Sequence, residues 1–166
     1  MDFQAARWLI AKDVPGQAGN DHPTSIPTGV FPTRDGHINI AASGKHIFAR
    51  FCQTLDLNHL LENPRFADDA ARSTNRVALN QAIAEVTKQR SSADLIEALN
   101  KAGVPCGPIN RMDEVFADPQ VRHLGMAAPV HHGALGDIAV VNQAVKLSRT
   151  PSRIAHPTPE KGEHTA

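Results

Sequence analysis

The stretch that most constrains how this chain folds is residues 19–42, GNDHPTSIPTGVFPTRDGHINIAA. Its end alternates polar and apolar side chains, so Ile38, Ile40 and Ala42 share one buried face of a strand. Asp35-Gly36 just ahead is a hairpin signal, because both residues tolerate positive φ, and Val30-Phe31 begin the first apolar strand. A turn-rich loop precedes the hairpin, holding Gly19, Pro23, Pro27 and Gly29 among the polar Asn20, Asp21, His22, Thr24 and Ser25. Rooted in a rigid hairpin, such a loop is a candidate lid or wall for a ligand site. The alternative is a plain surface connection.

The rest of the chain reads mostly as helix. Residues 2–12 carry Phe3, Ala6, Leu9 and Ile10 at helical spacing, with the single tryptophan, Trp8, and stop before Pro15-Gly16. A helix with no preceding cap or loop looks like the tail of something longer, which suggests a fragment. A second helix starts at Ser43 or Gly44 with Ile47, Phe48, Phe51 and Leu55 as its apolar stripe. Leu57, Leu60 and Leu61 continue that face after a break near Asp56, and Asn63-Pro64 interrupts the chain. The spacing predicts a third helix over 74–90, with Ser73 as cap and Leu79, Ile83 and Val86 inward. Ser91 and Asp94 form a capping-box pattern for a fourth helix burying Leu95, Ile96, Leu99 and Ala102, with Gly103 as its left-handed stop.

Residues 104–109, VPCGPI, are broken by two prolines and fit only an edge strand or an extended crossing. Met112, Val115 and Phe116 predict a turn or two of helix, and Asp118-Pro119 caps another that closes at Gly125. From 127 to 145 the pattern is extended, with a turn at 133–136. From Ser148 onward the chain is rich in Pro, Ser, Thr and charge, and reads as a loosely held tail. A hairpin or small antiparallel sheet, several helices and an extended C-terminal segment make an α+β arrangement.

Seventeen basic residues balance seventeen acidic ones, so no net field points to nucleic acid or an anionic membrane surface. No apolar run is long enough to span a bilayer. Neither a basic leader nor a signal-length apolar block opens the chain, and two cysteines make no disulfide framework, so the cytoplasm is the expected compartment.

Self-contained chemistry is scarce. The chain has no Walker loop, GxGxxG, HExxH or GxSxG pattern, and nothing pairs a nucleophile with a base. His131-His132 reads as a solvated loop, because neighbours on an extended chain point to opposite sides and make a poor metal pair. His22 suits either a ligand contact or turn packing. Cys106, between Pro105 and Gly107, sits where a backbone can approach a ligand closely, although free cysteines more often act as small hydrophobes. The turn alone accounts for Asp35.

Several segments in order carry a resemblance: GNDHPTSIPTGVFPTRDGHINIA, FARFCQTLDLNHLLENPRF, Arg72 with Asn75-Arg76, AGVPCGPINRMDEVFADPQVRHLGM, then KLSRTP and GEHT. Together they resemble the family III CoA-transferases, which include carnitine-type CoA-transferases and 2-methylacyl-CoA racemases. The resemblance covers nearly the whole chain but less than half of a family member. It implies a linker helix from a missing large domain over 1–18, a small α+β domain over 19–130, and an extended return segment with a flexible tail over 131–166.

The family's nucleophile is an aspartate of the large domain that forms mixed-anhydride and thioester intermediates. No position here matches it, so the resemblance implies no catalytic residue in this chain and no activity of the chain alone. The 19–29 loop falls where some members carry a glycine-rich loop over the reacting acyl group. Asp21-His22-Pro23 and Ser25-Ile26-Pro27 replace the glycines here. By resemblance the substrate-binding candidates are Gly19, Asn20, His22, Pro23, Pro27, Gly29 and Cys106. No tightly bound cofactor or metal is implied; a coenzyme A thioester and a carboxylic acid are the substrates, and the partner is a second copy or a large domain. The nearest alternative is a racemase portion. A noncatalytic remnant serving as a binding or assembly module is another.

Overall fold

Alternation in residues 37–42 builds the sheet it calls for. In the computed structural model, which describes residues 3–163 and 165, β1 (Thr28–Pro32) pairs antiparallel with β2 (His37–Ala41). Ile38, Ile40 and Ala42 are fully buried. The turn itself works differently from the expectation, since neither Asp35 nor Gly36 has a positive φ. Thr33 N–H closes it onto Gly36 carbonyl at 2.8 Å, and Asp35 binds elsewhere. Its carboxylate accepts from Ser92 N–H at 2.8 Å and Ser92 hydroxyl at 2.9 Å. These bonds hold the Asp35 carboxyl below its ordinary range. Asp35 therefore latches the hairpin to a helix start, where a negative charge is favoured.

The chain divides into two units, Met1–Ile109 and Asn110–Ala166. In the first, α1 (Phe3–Ala11) ends at Lys12, whose φ is 56°; the expected first helical residue, Asp2, lies outside the described residues. α2 (Lys45–Thr54) follows Gly44 at φ 83°. The expected helix over 74–90 forms over 76–87, and a separate short helix precedes it. α3 (Asp69–Thr74) starts early because Asp68 caps it, accepting from Ala71 N–H at 2.7 Å, which leaves Ser73 inside the helix. α4 (Arg76–Thr87) begins after Asn75 breaks the path, and Thr87 is buried more fully than Val86.

α5 (Ser92–Lys101) begins at the expected cap, where Ser91 hydroxyl accepts from Asp94 N–H at 3.2 Å, and it stops at Gly103 with φ 68°. Leu95 and Leu99 are fully buried, whereas Ile96 and Ala102 are only partly so. β3 (Cys106–Pro108) joins β2 as an edge strand, giving the order β1-β2-β3. The core gathers Ile26, Phe31, Ile38 and Ile40 of the hairpin against Phe48, Phe51, Leu79, Ile83, Leu95 and Leu99. Each such side chain contributes roughly 1.5–3 kcal/mol on burial.

In the second unit, α6 (Met112–Ala117) leads to α7 (Pro119–His123), where Asp118 caps the Gln120 and Val121 N–H groups. Gly125 has the stop conformation, φ 62°. β4 (Ala127–His132) and β5 (Gly136–Val141) form a second antiparallel hairpin. His131 and His132 thus end a strand and are no solvated loop. His132 is buried, with Nδ1 accepting from the Ala134 and Leu135 N–H groups. Residues 142–160 form no helix or strand, and Glu160 lies 3.6 Å from His132 Nε2. Among the described residues no helix is long and apolar enough to cross a membrane.

Candidate functional site

Two prolines in the 19–29 loop remove backbone donors, so side chains must fix it. The loop closes on itself through His22 N–H to Thr28 carbonyl at 2.8 Å and Asp21 N–H to Ala18 carbonyl at 3.1 Å. His22 Nδ1 accepts from Thr24 and Ser25 N–H at 3.2 and 2.8 Å, which puts its proton on Nε2. The ring also stacks on Phe3 with centroids 5.5 Å apart. The turn-packing role of His22 is therefore filled, with Nε2–H left for other partners. Gly19 takes φ 60°. Gly29 is required by a close approach: a Cβ there would lie 2.4 Å from Asp21 Oδ1 and 3.2 Å from the Asn20 carbonyl. Pro27 is buried, and its carbonyl accepts from Ala42 N–H at 2.8 Å.

Two arginines hold the loop from outside. Buried Arg72 donates from Nε to Ile26 carbonyl at 3.1 Å and from an Nη to Phe66 carbonyl at 3.0 Å, pairs with Asp69, and lies 4.6 Å from the Phe48 ring centroid. Arg76 donates to Pro23 carbonyl at 2.7 Å. A hollow of about 250 Å³ lined by Lys45, Phe48, Leu61 and Phe66 also touches Arg72. The sequence signal for these residues was slight. The sequence marks both only among the residues that carry the family resemblance, and the loop carbonyls they bond appear only in the fold.

The sheet brings other candidates to one place. Gly29, Ile40 and Cys106 occupy one rung across β1, β2 and β3. Ala41 N–H meets Pro105 carbonyl at 2.9 Å, one residue from the Ala42 bond to Pro27. The loop's root and the VPCGPI strand therefore converge at one end of the sheet. The Cys106 thiol lies 3.7 Å from Ile96 carbonyl and 3.6 Å from Asn100 Oδ1, against α5. Burial pushes that thiol up in pKa. Cys52 is fully enclosed, and burial pushes it up to about 12.

Thiolate population and access control alkylation. In the native protein Cys106 is expected to react with a maleimide at least tenfold faster than Cys52, read by peptide mass spectrometry. Equal protection of both thiols would mean that Cys106 is as closed as the core.

Backbone carbonyls, an imidazole N–H and a firm turn suit shape recognition more than bond-making. Among the described residues no three His, Cys, Asp or Glu side chains gather as a metal site. His131 instead contacts Asp137 at 2.7 Å.

The chain as a whole is similar to known proteins. The family model for CoA-transferase family III matches residues 1–165. The human protein named succinyl-CoA:glutarate CoA-transferase is 34% identical over 97% of the chain, and the succinate–glutarate CoA-transferase of Agrobacterium fabrum is 34% identical over 98%. The crystal structure of a CAIB/BAIF family protein from Brucella suis superposes with a TM-score of 0.76 at 32% identity over 98% of the chain. The chain spans 37% and 41% of the two relatives' lengths and 42% of that structure's.

Proposed function

Because this chain belongs to CoA-transferase family III, we propose that it is the C-terminal portion of such an enzyme and shapes the site where CoA passes between carboxylic acids. Residues 1–18 then lead from a larger domain, 19–130 form the small α+β domain, and 131–166 return toward the larger one. The transfer runs through an aspartyl intermediate, and that aspartate belongs to another part of the enzyme. The CoA thioester is substrate and no resident cofactor is needed. The names of the human and Agrobacterium fabrum relatives direct the choice of acids to succinate and glutarate.

One observation supports this reading above the others: the 19–29 loop and the Cys106 strand are rooted at the same end of one rigid sheet. A wall held this firmly keeps water from an anhydride and a thioester, which water would otherwise consume.

Incubated with succinyl-CoA and glutarate, the pure chain is expected to form no glutaryl-CoA above background by mass spectrometry. Joined behind the large domain of the Agrobacterium fabrum relative, in place of that protein's own C-terminal portion, it is expected to support turnover. A folded chimera that binds no succinyl-CoA would sink the proposal. Turnover by the pure chain, abolished by a substitution within it, would sink the assignment of the nucleophile elsewhere.

A further inference from the structure

Arg72 and Arg76 grip one loop from two different helices, and the break between those helices is itself held in place. Asn75 ends α3 and precedes α4, with φ −101° and ψ 22°. Its amide nitrogen donates to Arg65 carbonyl at 3.1 Å and Ala71 carbonyl at 2.9 Å, while its oxygen accepts from Arg65 Nε at 3.0 Å. Arg76 is thereby the first residue of α4, and its guanidinium reaches Pro23 carbonyl at 2.7 Å. Arg72 takes the carbonyl three residues further on, that of Ile26. Pro23 and Pro27 offer the loop no N–H of their own. Charge-assisted bonds from guanidinium to carbonyl are the stronger kind.

We propose that Arg76 is a positioning residue that sets the 19–29 loop in the conformation it presents to the acyl-CoA. The role in an acyl-CoA site rests on the function proposed above; the clamp itself rests on geometry alone. Arg72 shares the grip but also holds Phe66 carbonyl inside the core, so its loss reaches beyond the loop. Arg76 is half-buried and separates the two effects. The consequence is a site wall set before ligand arrives, where a run of glycines would have to be ordered by it.

The loop carries its own reporters, because the amides of His22, Thr24 and Ser25 are hydrogen-bonded within it and that of Asp21 to Ala18 just ahead of it. Hydrogen exchange of the full chain, followed by mass spectrometry, is expected to quicken at least tenfold at these amides in Arg76→Gln. Amides of β2 and α5 should keep their wild-type rates, and the urea midpoint should stay near wild type. Arg76→Lys, which retains a charged donor, is expected to recover most of the loop's protection. In the chimera with the large domain, acetyl-CoA is then expected to slow loop exchange, with an affinity at least fivefold weaker when Arg76→Gln is present.

Unchanged loop exchange in Arg76→Gln overturns the clamp, whatever acetyl-CoA does. Exchange that rises uniformly over the first unit, with no rescue by lysine, also overturns it and makes Arg76 a plain stability residue. A loop that loosens in Arg76→Gln but ignores acetyl-CoA in both forms of the folded chimera leaves the clamp standing and counts against the acyl-CoA site.

Discussion

Replacing Arg72 by alanine is expected to lower the unfolding free energy of the first unit by about 4 kcal/mol, read from urea denaturation. Arg72 is 2% exposed. Its removal strands the Ile26 and Phe66 carbonyls, each of which costs roughly 1–3 kcal/mol when buried without a donor. It also uncovers the face of Phe48 and leaves a cavity beneath it. One term opposes these. The folded protein no longer bears the desolvation of a buried guanidinium, which only the partly exposed Asp69 helps to offset. The stranded carbonyls dominate because the loop's prolines cannot supply replacement donors. Lysine should recover less than half of the loss, since one ammonium cannot serve two carbonyls on separate segments with the planar fork that arginine offers. A loss below 1 kcal/mol for alanine would mean that both carbonyls find other donors.

The second large effect concerns association. α1 has no buried residue, and Trp8, Leu9, Ile10 and Val14 are 47%, 66%, 84% and 73% exposed. Apolar surface gains roughly 25 cal/mol per Å² on burial, so a few hundred Å² gives several kcal/mol of drive before the entropy of association is charged. We expect the chain to self-associate through this helix. Trp8→Ala with Leu9→Ser should weaken the dimer at least a hundredfold, since two lost side chains at roughly 1.5–3 kcal/mol each when fully covered amount to about 3 kcal/mol or more. Sedimentation velocity over a concentration series measures it. A folded monomer at high concentration, indifferent to both substitutions, would refute the expectation. Phe3 is also 45% exposed, although its ring stacks on His22.

Much of this fold was legible because its signals are short. The alternation of Ile38, Ile40 and Ala42 needs no partner to be read, and it predicts the buried face that forms. Caps act within three residues, so Ser91 with Asp94 and Asp118 with Pro119 announced their helices, and Gly103 and Gly125 their ends. Prolines 105 and 108 confined β3 to an edge for lack of N–H groups. The helix predicted over 74–90 formed over 76–87, but its cap and start were misjudged at the same scale. Two competing polar residues, Asp68 and Asn75, outbid Ser73 for the cap and the break, and periodicity does not rank such choices.

The candidate site was legible only in part, for a reason of distance along the chain. Sequence alone identified a loop too rich in glycine, proline and polar groups for regular structure, the hairpin that roots it, and the order of motifs that marks the family. It did not reveal that Arg72 reaches a carbonyl 46 positions away, that Arg76 reaches one 53 away, or that Asp35 bonds the start of a helix 57 away. Nor did it foresee that His132 is buried and that its neighbour is not. Hydrogen-bond donors and acceptors carry no periodic signature that names a distant partner. An arginine on a helix reads as solvated until packing brings unpaired carbonyls against it, and only the tertiary structure makes that match, because a buried guanidinium and buried carbonyls are each costly alone and satisfied only by one another.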